Sequence, residues 1–169
     1  HSAEREMSPD ESHEAYIQNF NVAIRDVETD EVIYRSTDGS EGNYYDFDSF
    51  SWSPDSKKLA ASRVIPGYDR KIHYVESSPE EQLQPRHRSR TYIKPGDALD
   101  NEQPVLFHVE SGNQILIDKT LFPNAYNLSG YRWGDVSDAF TFEYNERGHQ
   151  RYRIIEVNTE SGEPRILVN

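Results

Sequence analysis

The chain has 169 residues, only 34% of them apolar and none of them cysteine, and 30 acidic against 18 basic side chains leave a formal charge of −12. That charge repels nucleic-acid phosphates and anionic membrane surfaces, and the absence of cysteine removes disulfide frameworks and thiolate metal sites. No run approaches the ~20 apolar residues of a membrane span, and the polar stretch His1 to Asp10 does not resemble a signal peptide and reads as a linker.

In chain order, alternation and turn residues predict about twelve short strands and no helix. The first three lie near 14–18, 21–26 and 31–36, and a turn rich in Asp38, Gly39, Ser40, Gly42 and Asn43 leads to a strand at 49–52. Strands at 58–65, 104–109 and 114–118 follow, interrupted by an excursion over 66–103. Within it Arg70 to Glu76 alternates like a further strand, and Ser77 to Asn101, rich in Pro, Glu, Gln and Arg, reads as a partly ordered arm. The last strands fall at 129–133, 139–145, 150–157 and 164–168, with Asn145 to His149 a hairpin loop turning on Gly148.

These elements repeat. Three openers, Ser8-Pro9-Asp10, Trp52-Ser53-Pro54-Asp55 and Tyr131-Arg132-Trp133-Gly134, each run into a strand, and three hairpins close the units through Asp30, Gly112 and Gly162. Repeated units made only of short strands define propeller blades. The expected fold is therefore all-β, a partial β-propeller of about three to four antiparallel four-stranded blades. It occupies residues 1–169 as one domain, with blade-like units at about 8–48, 49–120 and 121–169. Trp52 and Trp133 hold equivalent places and are expected to be buried anchors.

Little here points to chemistry. No G-x-S-x-G elbow occurs, and the serines cluster in turns beside Pro, Gly or Asp, so no catalytic residue is assigned. His1, His13, His73, His87, His108 and His149 fall in separate elements with no metal-ligand spacing, and no glycine-rich loop precedes a helix, so neither metal nor cofactor is expected. The basic run Arg86 to Arg90 lacks interleaved aromatics and reads as a solvated loop, and turn chemistry accounts for Arg147 and His149. Glu41, Asp46 and Asp48 gather before the 49–52 strand beside Tyr44 and Tyr45 and are the candidates for holding a cation or amine.

The residues Trp52-Ser53-Pro54-Asp55-Ser56-Lys57-Lys58-Leu59-Ala60, then Tyr92-Ile93-Lys94-Pro95-Gly96-Asp97 and Pro104-Val105-Leu106-Phe107, carry a family resemblance. They are similar to the N-terminal β-propeller region of dipeptidyl-peptidase IV, a branch of the prolyl oligopeptidase family of serine peptidases. The likeness extends to Tyr131-Arg132-Trp133 and to the run from Phe142 to Gln150, and so covers most of the chain. It implies a parent serine peptidase, bacterial and periplasmic or secreted, whose Ser-Asp-His triad sits on a C-terminal α/β-hydrolase domain. The propeller gates and positions the peptide substrate for that domain, which this sequence does not contain. In the family an adjacent pair of glutamates just before this strand holds the substrate's amino terminus. Here Asp38 to Ser49 has no adjacent Glu-Glu, and Glu41, Asp46 and Asp48 stand in its neighbourhood. The rival reading is a non-enzymatic propeller-type module that binds a protein or glycan.

Two expectations follow for the isolated chain. An open arc of blades leaves faces that normally pack on neighbours, which predicts self-association. Without a nucleophile elbow, the purified chain is expected to leave a chromogenic X-Pro dipeptide substrate uncleaved. Turnover that survives repurification and is blocked by a serine-directed phosphonate would contradict this.

Overall fold

A computed structural model of the chain describes residues 4–66, 101–123, 125–146 and 151–169, with backbone alone at 125–127. The Arg70–Glu76 strand, the 77–100 arm and the tip of the Asn145–His149 loop lie outside the described residues. Those described form three antiparallel sheets and no helix. The first runs β1 (Glu6–Met7), β2 (His13–Gln18), β3 (Asn21–Asp26), β4 (Glu31–Arg35). The second runs β5 (Tyr44–Trp52), β6 (Lys58–Ile65), β7 (Asn101–His108), β8 (Asn113–Leu116). The third contains β9 (Ala125–Leu128), β10 (Arg132–Trp133), β11 (Ala139–Glu146), β12 (Tyr152–Asn158) and β13 (Pro164–Val168), with β9 and β10 both pairing with β11. The first sheet thus begins at Glu6, ahead of the Ser8 turn, and the second begins at Tyr44, ahead of Ser49. Strand β1 is two residues long, too short for alternation to reveal.

Successive side chains of a strand face opposite ways, and this chain uses both faces of the second sheet. Leu59, Ala61, Val105 and Phe107 pack with Ala15, Val22 and Ile24 of the first sheet, under Tyr45, Phe50 and Trp52. Their neighbours Ala60 and Leu106 turn the other way and pack with Phe140, Phe142, Tyr144, Ile155 and Val157 of the third. The sheets are therefore stacked like blades, with the second sandwiched between two cores.

The unit openers are one turn built twice from the same residues. Ser8 N–H donates to His13 O (2.8 Å) and Ser53 N–H to Lys58 O (2.9 Å). The same serine hydroxyls accept the N–H of His13 (3.1 Å) and of Lys58 (3.0 Å). The carboxylates of Asp10 and Asp55 accept the N–H of Ser12 (2.9 Å) and Lys57 (3.0 Å), an Asx turn that suits Ser-Pro-Asp. Glu11 and Ser56, at corresponding positions, both have φ of 64°. The third opener, Gly134 to Asp138, keeps the register, with Trp133 opposite Phe140 as Trp52 is opposite Leu59. In all three units a further bond ties opener to hairpin: Val27 to Ser12 O (3.0 Å), Val109 to Lys57 O (2.9 Å) and Thr159 to Asp138 O (2.9 Å).

Several hydrogen bonds join adjacent blades, and both junctions share one pair of them. Trp52 Nε1 donates to Glu6 O (3.0 Å), and Trp133 Nε1 donates to Ser51 O (3.2 Å). Asp10 N–H donates to Ser56 Oγ (3.0 Å), and Asp55 N–H donates to Ser137 Oγ (3.0 Å). Each blade thus offers one carbonyl and one N–H, which the next blade meets with an indole and a serine four residues on. Trp52 is buried, but Trp133 is only half-buried, which corrects the expectation for the second tryptophan. The His13 ring covers Trp52 at 6.1 Å, whereas Trp133 leans on Phe140 of its own sheet at 5.1 Å.

The outward faces of the stack carry ion pairs beside exposed apolar side chains, Met7 on the first sheet and Tyr152 and Val168 on the third. On the first sheet Glu14, Tyr16 and Arg25 point away from the core, with Glu14 bonded to Arg25 and to Arg5 (3.3 Å), and Arg5 lies over the Tyr16 ring at 4.6 Å. On the third sheet Arg165 pairs with Glu156 at 2.7 Å.

Five substitutions probe this architecture. Ser56→Ala strands the Asp10 N–H between blades and is expected to cost about 1–3 kcal/mol. Trp52→Ala is expected to cost about 3–5 kcal/mol, and Trp133→Ala distinctly less. Gly112 and Gly162 both have positive φ (76° and 77°), but a Cβ at Gly162 would meet Ile115 Cγ2 of the second sheet at 2.5 Å while one at Gly112 meets nothing within 4 Å. Gly112→Ala should therefore cost only the left-handed strain of about 1–2 kcal/mol, and Gly162→Ala clearly more, by urea unfolding.

Candidate functional site

The three sequence candidates do not form one cluster around a common point. Glu41 sits exposed in a tight turn closed by Ser40 N–H to Asn43 O (2.9 Å) and Asn43 N–H to Ser40 O (3.0 Å). Asp46 lies on β5 opposite Ser62, just before a bulge in which residues 47–50 face Ala61 alone. Its carboxylate accepts the N–H of exposed Asp48 (3.0 Å), and its carbonyl accepts Ser49 Oγ (2.6 Å). Ser49 Oγ in turn accepts Ser62 N–H at 2.7 Å, and Ser129 Oγ accepts Glu143 N–H at 2.8 Å at the matching place in the third blade. Asp46 therefore serves the bulge that presents Asp48.

The bulge stands between two polar networks that occupy opposite faces of the second blade. On the side of the third blade, buried Ser62 Oγ lies 2.5 Å from the Tyr131 hydroxyl and 3.2 Å from Glu102 Oε1. Burial pushes the Tyr131 phenol well above its ordinary range, the Ser62 bond works against that, and the charges of Glu102 and Asp46 add to it. Carboxylates from β5 and β7 thus face one hydroxyl pair. Beside them Lys119 Nζ donates to Asn101 Oδ1 (2.7 Å), with its own pKa lowered by burial against the pull of Glu102.

On the side of the first blade, Asp38 gathers donors from three strands, β5, β6 and β8. Arg63 Nη1 pairs with it, Tyr45 OH donates at 3.0 Å and Gln114 Nε2 at 2.8 Å. Tyr34 OH donates onward to Gln114 Oε1 at 2.7 Å. Burial first, and the Asp38 charge second, push Tyr34 up to about 12 and Tyr45 higher still. Neighbouring residues divide the labour, since Ser62 and Tyr131 meet on one face while Arg63 and Asp38 meet on the other. Sequence reading placed Asp38 only in a turn and gave Ser62, Arg63, Glu102 and Gln114 no role. The only local signal was the presence of polar residues on β6 and β7 where apolar ones alternate.

Neither network is arranged for acyl transfer. The three triad residue types do meet in one turn, where Ser12 Oγ lies 2.5 Å from Asp10 Oδ1 and 2.9 Å from His13 Nδ1. There the hydroxyl donates to the carboxylate directly instead of facing a histidine that the carboxylate orients. The other described histidine, His108, bonds Thr159 O at 2.8 Å. Among the described residues no group of three or more His, Asp or Glu is gathered as a metal would require.

Stacked four-stranded antiparallel blades joined by repeated contacts define this molecule as part of a β-propeller. The family model of the dipeptidyl peptidase IV (DPP IV) N-terminal region matches residues 2–169, and the chain belongs to that family. Among solved structures it is similar to dipeptidyl peptidase 4 of Porphyromonas gingivalis, with 16% identity and a TM-score of 0.62 over 98% of this chain and 26% of that one. It is likewise similar to a Bacteroides ovatus protein described as a dipeptidyl aminopeptidase IV, with 13% identity and a TM-score of 0.64 over 96% and 23%. A third is the acylaminoacyl peptidase of Pyrococcus horikoshii, with 12% identity and a TM-score of 0.51 over 98% and 24%. No curated protein matches. The chain spans about a quarter of the length of these structures.

The tyrosines give this region a pH signature. A phenol held above its unfolded value stabilises the fold fully below the unfolded pKa, and that contribution is lost as pH rises through the folded one. With Tyr34 moving from 10.0 to about 12, its contribution to stability should be constant up to pH 10 and be lost above it. Phenolate absorbance followed together with unfolding checks this. Titration of all tyrosines near 10 in the folded chain would contradict it.

Proposed function

We propose that this chain is the propeller segment of a DPP IV-like serine peptidase and that it frames the route by which peptide reaches a hydrolase domain elsewhere in the parent protein. The family match over residues 2–169 carries the reading. The likeness to a dipeptidyl peptidase 4 and an acylaminoacyl peptidase supports it at the level of fold. In this reading the parent is a bacterial enzyme that acts outside the cytoplasm.

Within that reading the acidic edge of the second blade attracts the positively charged amino terminus of the peptide. Exposed Asp48 and Glu41 act as screened surface charges, worth no more than about 1 kcal/mol each. Asp46 contributes by holding the bulge in shape. The experiment uses the full-length peptidase and compares peptides with free and acetylated amino termini. Asp48→Asn should raise KM by a few-fold for the free amine, leave kcat unchanged and leave the acetylated peptide unaffected. Equal effects on both peptides would contradict the anchoring role, and a full-length protein without peptidase activity would contradict the reading as a whole.

A further inference from the structure

The sequence holds one Asp-Gly pair, Asp38-Gly39, and it lies in the link between β4 of the first blade and β5 of the second. Glycine has no side chain to shield its backbone nitrogen, so Asp-Gly is the dipeptide most prone to ring closure between that nitrogen and the carboxyl group before it. Packing requires glycine here, because a Cβ at position 39 would lie 2.1 Å from Phe20 O and 2.9 Å from Asn21 Oδ1. Asp38 is fixed as well, as the acceptor on which Tyr45, Arg63 and Gln114 converge. The fold therefore keeps a reactive pair at the joint between its first two blades.

Both groups that would close the ring are engaged elsewhere. The Gly39 N–H donates to Asn21 Oδ1 at 2.7 Å. Asp38 Oδ1 accepts Tyr45 OH at 3.0 Å, and Oδ2 accepts Gln114 Nε2 at 2.8 Å and Arg63 Nη1. Swinging Cγ onto the Gly39 nitrogen breaks bonds from three strands. Gln114 is steadied in turn by Tyr34 OH, 2.7 Å from its Oε1, so that β4 of one blade and β8 of the next meet in the same network. These bonds exist together only while the two blades are seated. The Asp38 side chain is 30% exposed, so water reaches it once they part.

We propose that Asp38-Gly39 is a covalent modification site, at which aspartate isomerises to isoaspartate when the first and second blades separate and at which the seated blades hold the reaction back. The Gly39 nitrogen attacks Asp38 Cγ. An N–C bond forms, and one carboxyl oxygen leaves as water, carrying the Gly39 amide proton and the carboxyl proton. Water then adds to the main-chain carbonyl carbon of Asp38, its bond to the Gly39 nitrogen breaks, and the nitrogen regains a proton. One water is lost and one is taken up, so the mass is unchanged. The main chain now runs through Cγ and is one carbon longer, while the carboxylate stands on the former Cα. Gly39 then no longer fits against Phe20 O, nor the carboxylate among its three donors, and the product marks a molecule whose blades have parted.

The full-length protein is incubated at neutral pH and digested, and isoaspartate at position 38 is separated from aspartate by chromatography with peptide mass spectrometry. A synthetic peptide of residues 34–43 sets the unrestrained rate. The folded protein should react about tenfold or more slowly than the peptide, because only its opened fraction reacts, and in urea the two rates should converge. Gln114→Ala removes one donor and should raise the folded rate several-fold. Asp38→Glu should abolish the signal, since its longer side chain cannot close the five-membered ring. A folded protein that reacts as fast as the peptide, or a folded Gln114→Ala variant that reacts no faster than the parent, would overturn the proposal. Should that variant unfold, Tyr34→Phe, which removes only the bond that steadies Gln114, makes the same test.

Discussion

A sheet of four short strands has two faces and cannot bury either alone, so everything in this molecule depends on how one blade is fastened to the next. The fastening is a pair of hydrogen bonds, an indole N–H to a carbonyl and a backbone N–H to a serine hydroxyl, found at both junctions with distances of 3.0 to 3.2 Å. Each bond contributes only about 1 kcal/mol net. Their larger effect is positional, because they fix the opener turns of neighbouring blades and so bring Leu59 and Phe107 against one core and Ala60 and Leu106 against the other.

That constraint explains why Trp-x-x-x-Ser is the part of the repeat that persists. The third opener has lost Ser-Pro-Asp, replacing it with Gly134-Asp135-Val136, yet keeps Trp133 and Ser137. The turn's internal bonds are a local convenience, while the tryptophan and the serine face another blade. The first blade has Met7 and Glu11 at those positions.

Much of the fold was legible because it is written in local periodicity. The alternation in Phe140 to Tyr144, the Gly162 turn and the Trp52-to-Asp55 opener each encode a strand or a turn within a few residues, and the family resemblance rests on the same stretches. The polar networks were not legible, because their members are far apart in sequence. Ser62 and Tyr131 are 69 residues apart and Asp38 and Gln114 are 76 apart, and nothing near any of the four announces its partner. The bulge after Asp46 was hidden for another reason, since four residues facing one leave no period to read. The structure puts the candidate carboxylates Glu41, Asp46 and Asp48 around the start of the second blade, with Asp46 committed to the backbone beside it.

The central claim is that the serine hydroxyl of one blade holds the opener N–H of the blade before it. Native-state amide hydrogen exchange on Ser56→Ala tests this directly, with Asp10 and Asp55 as the two reporters. The Asp10 amide, whose acceptor is removed, should lose its protection, while the Asp55 amide, still bonded to Ser137 Oγ, should keep it. Unchanged protection at Asp10, or equal loss at both, would contradict it.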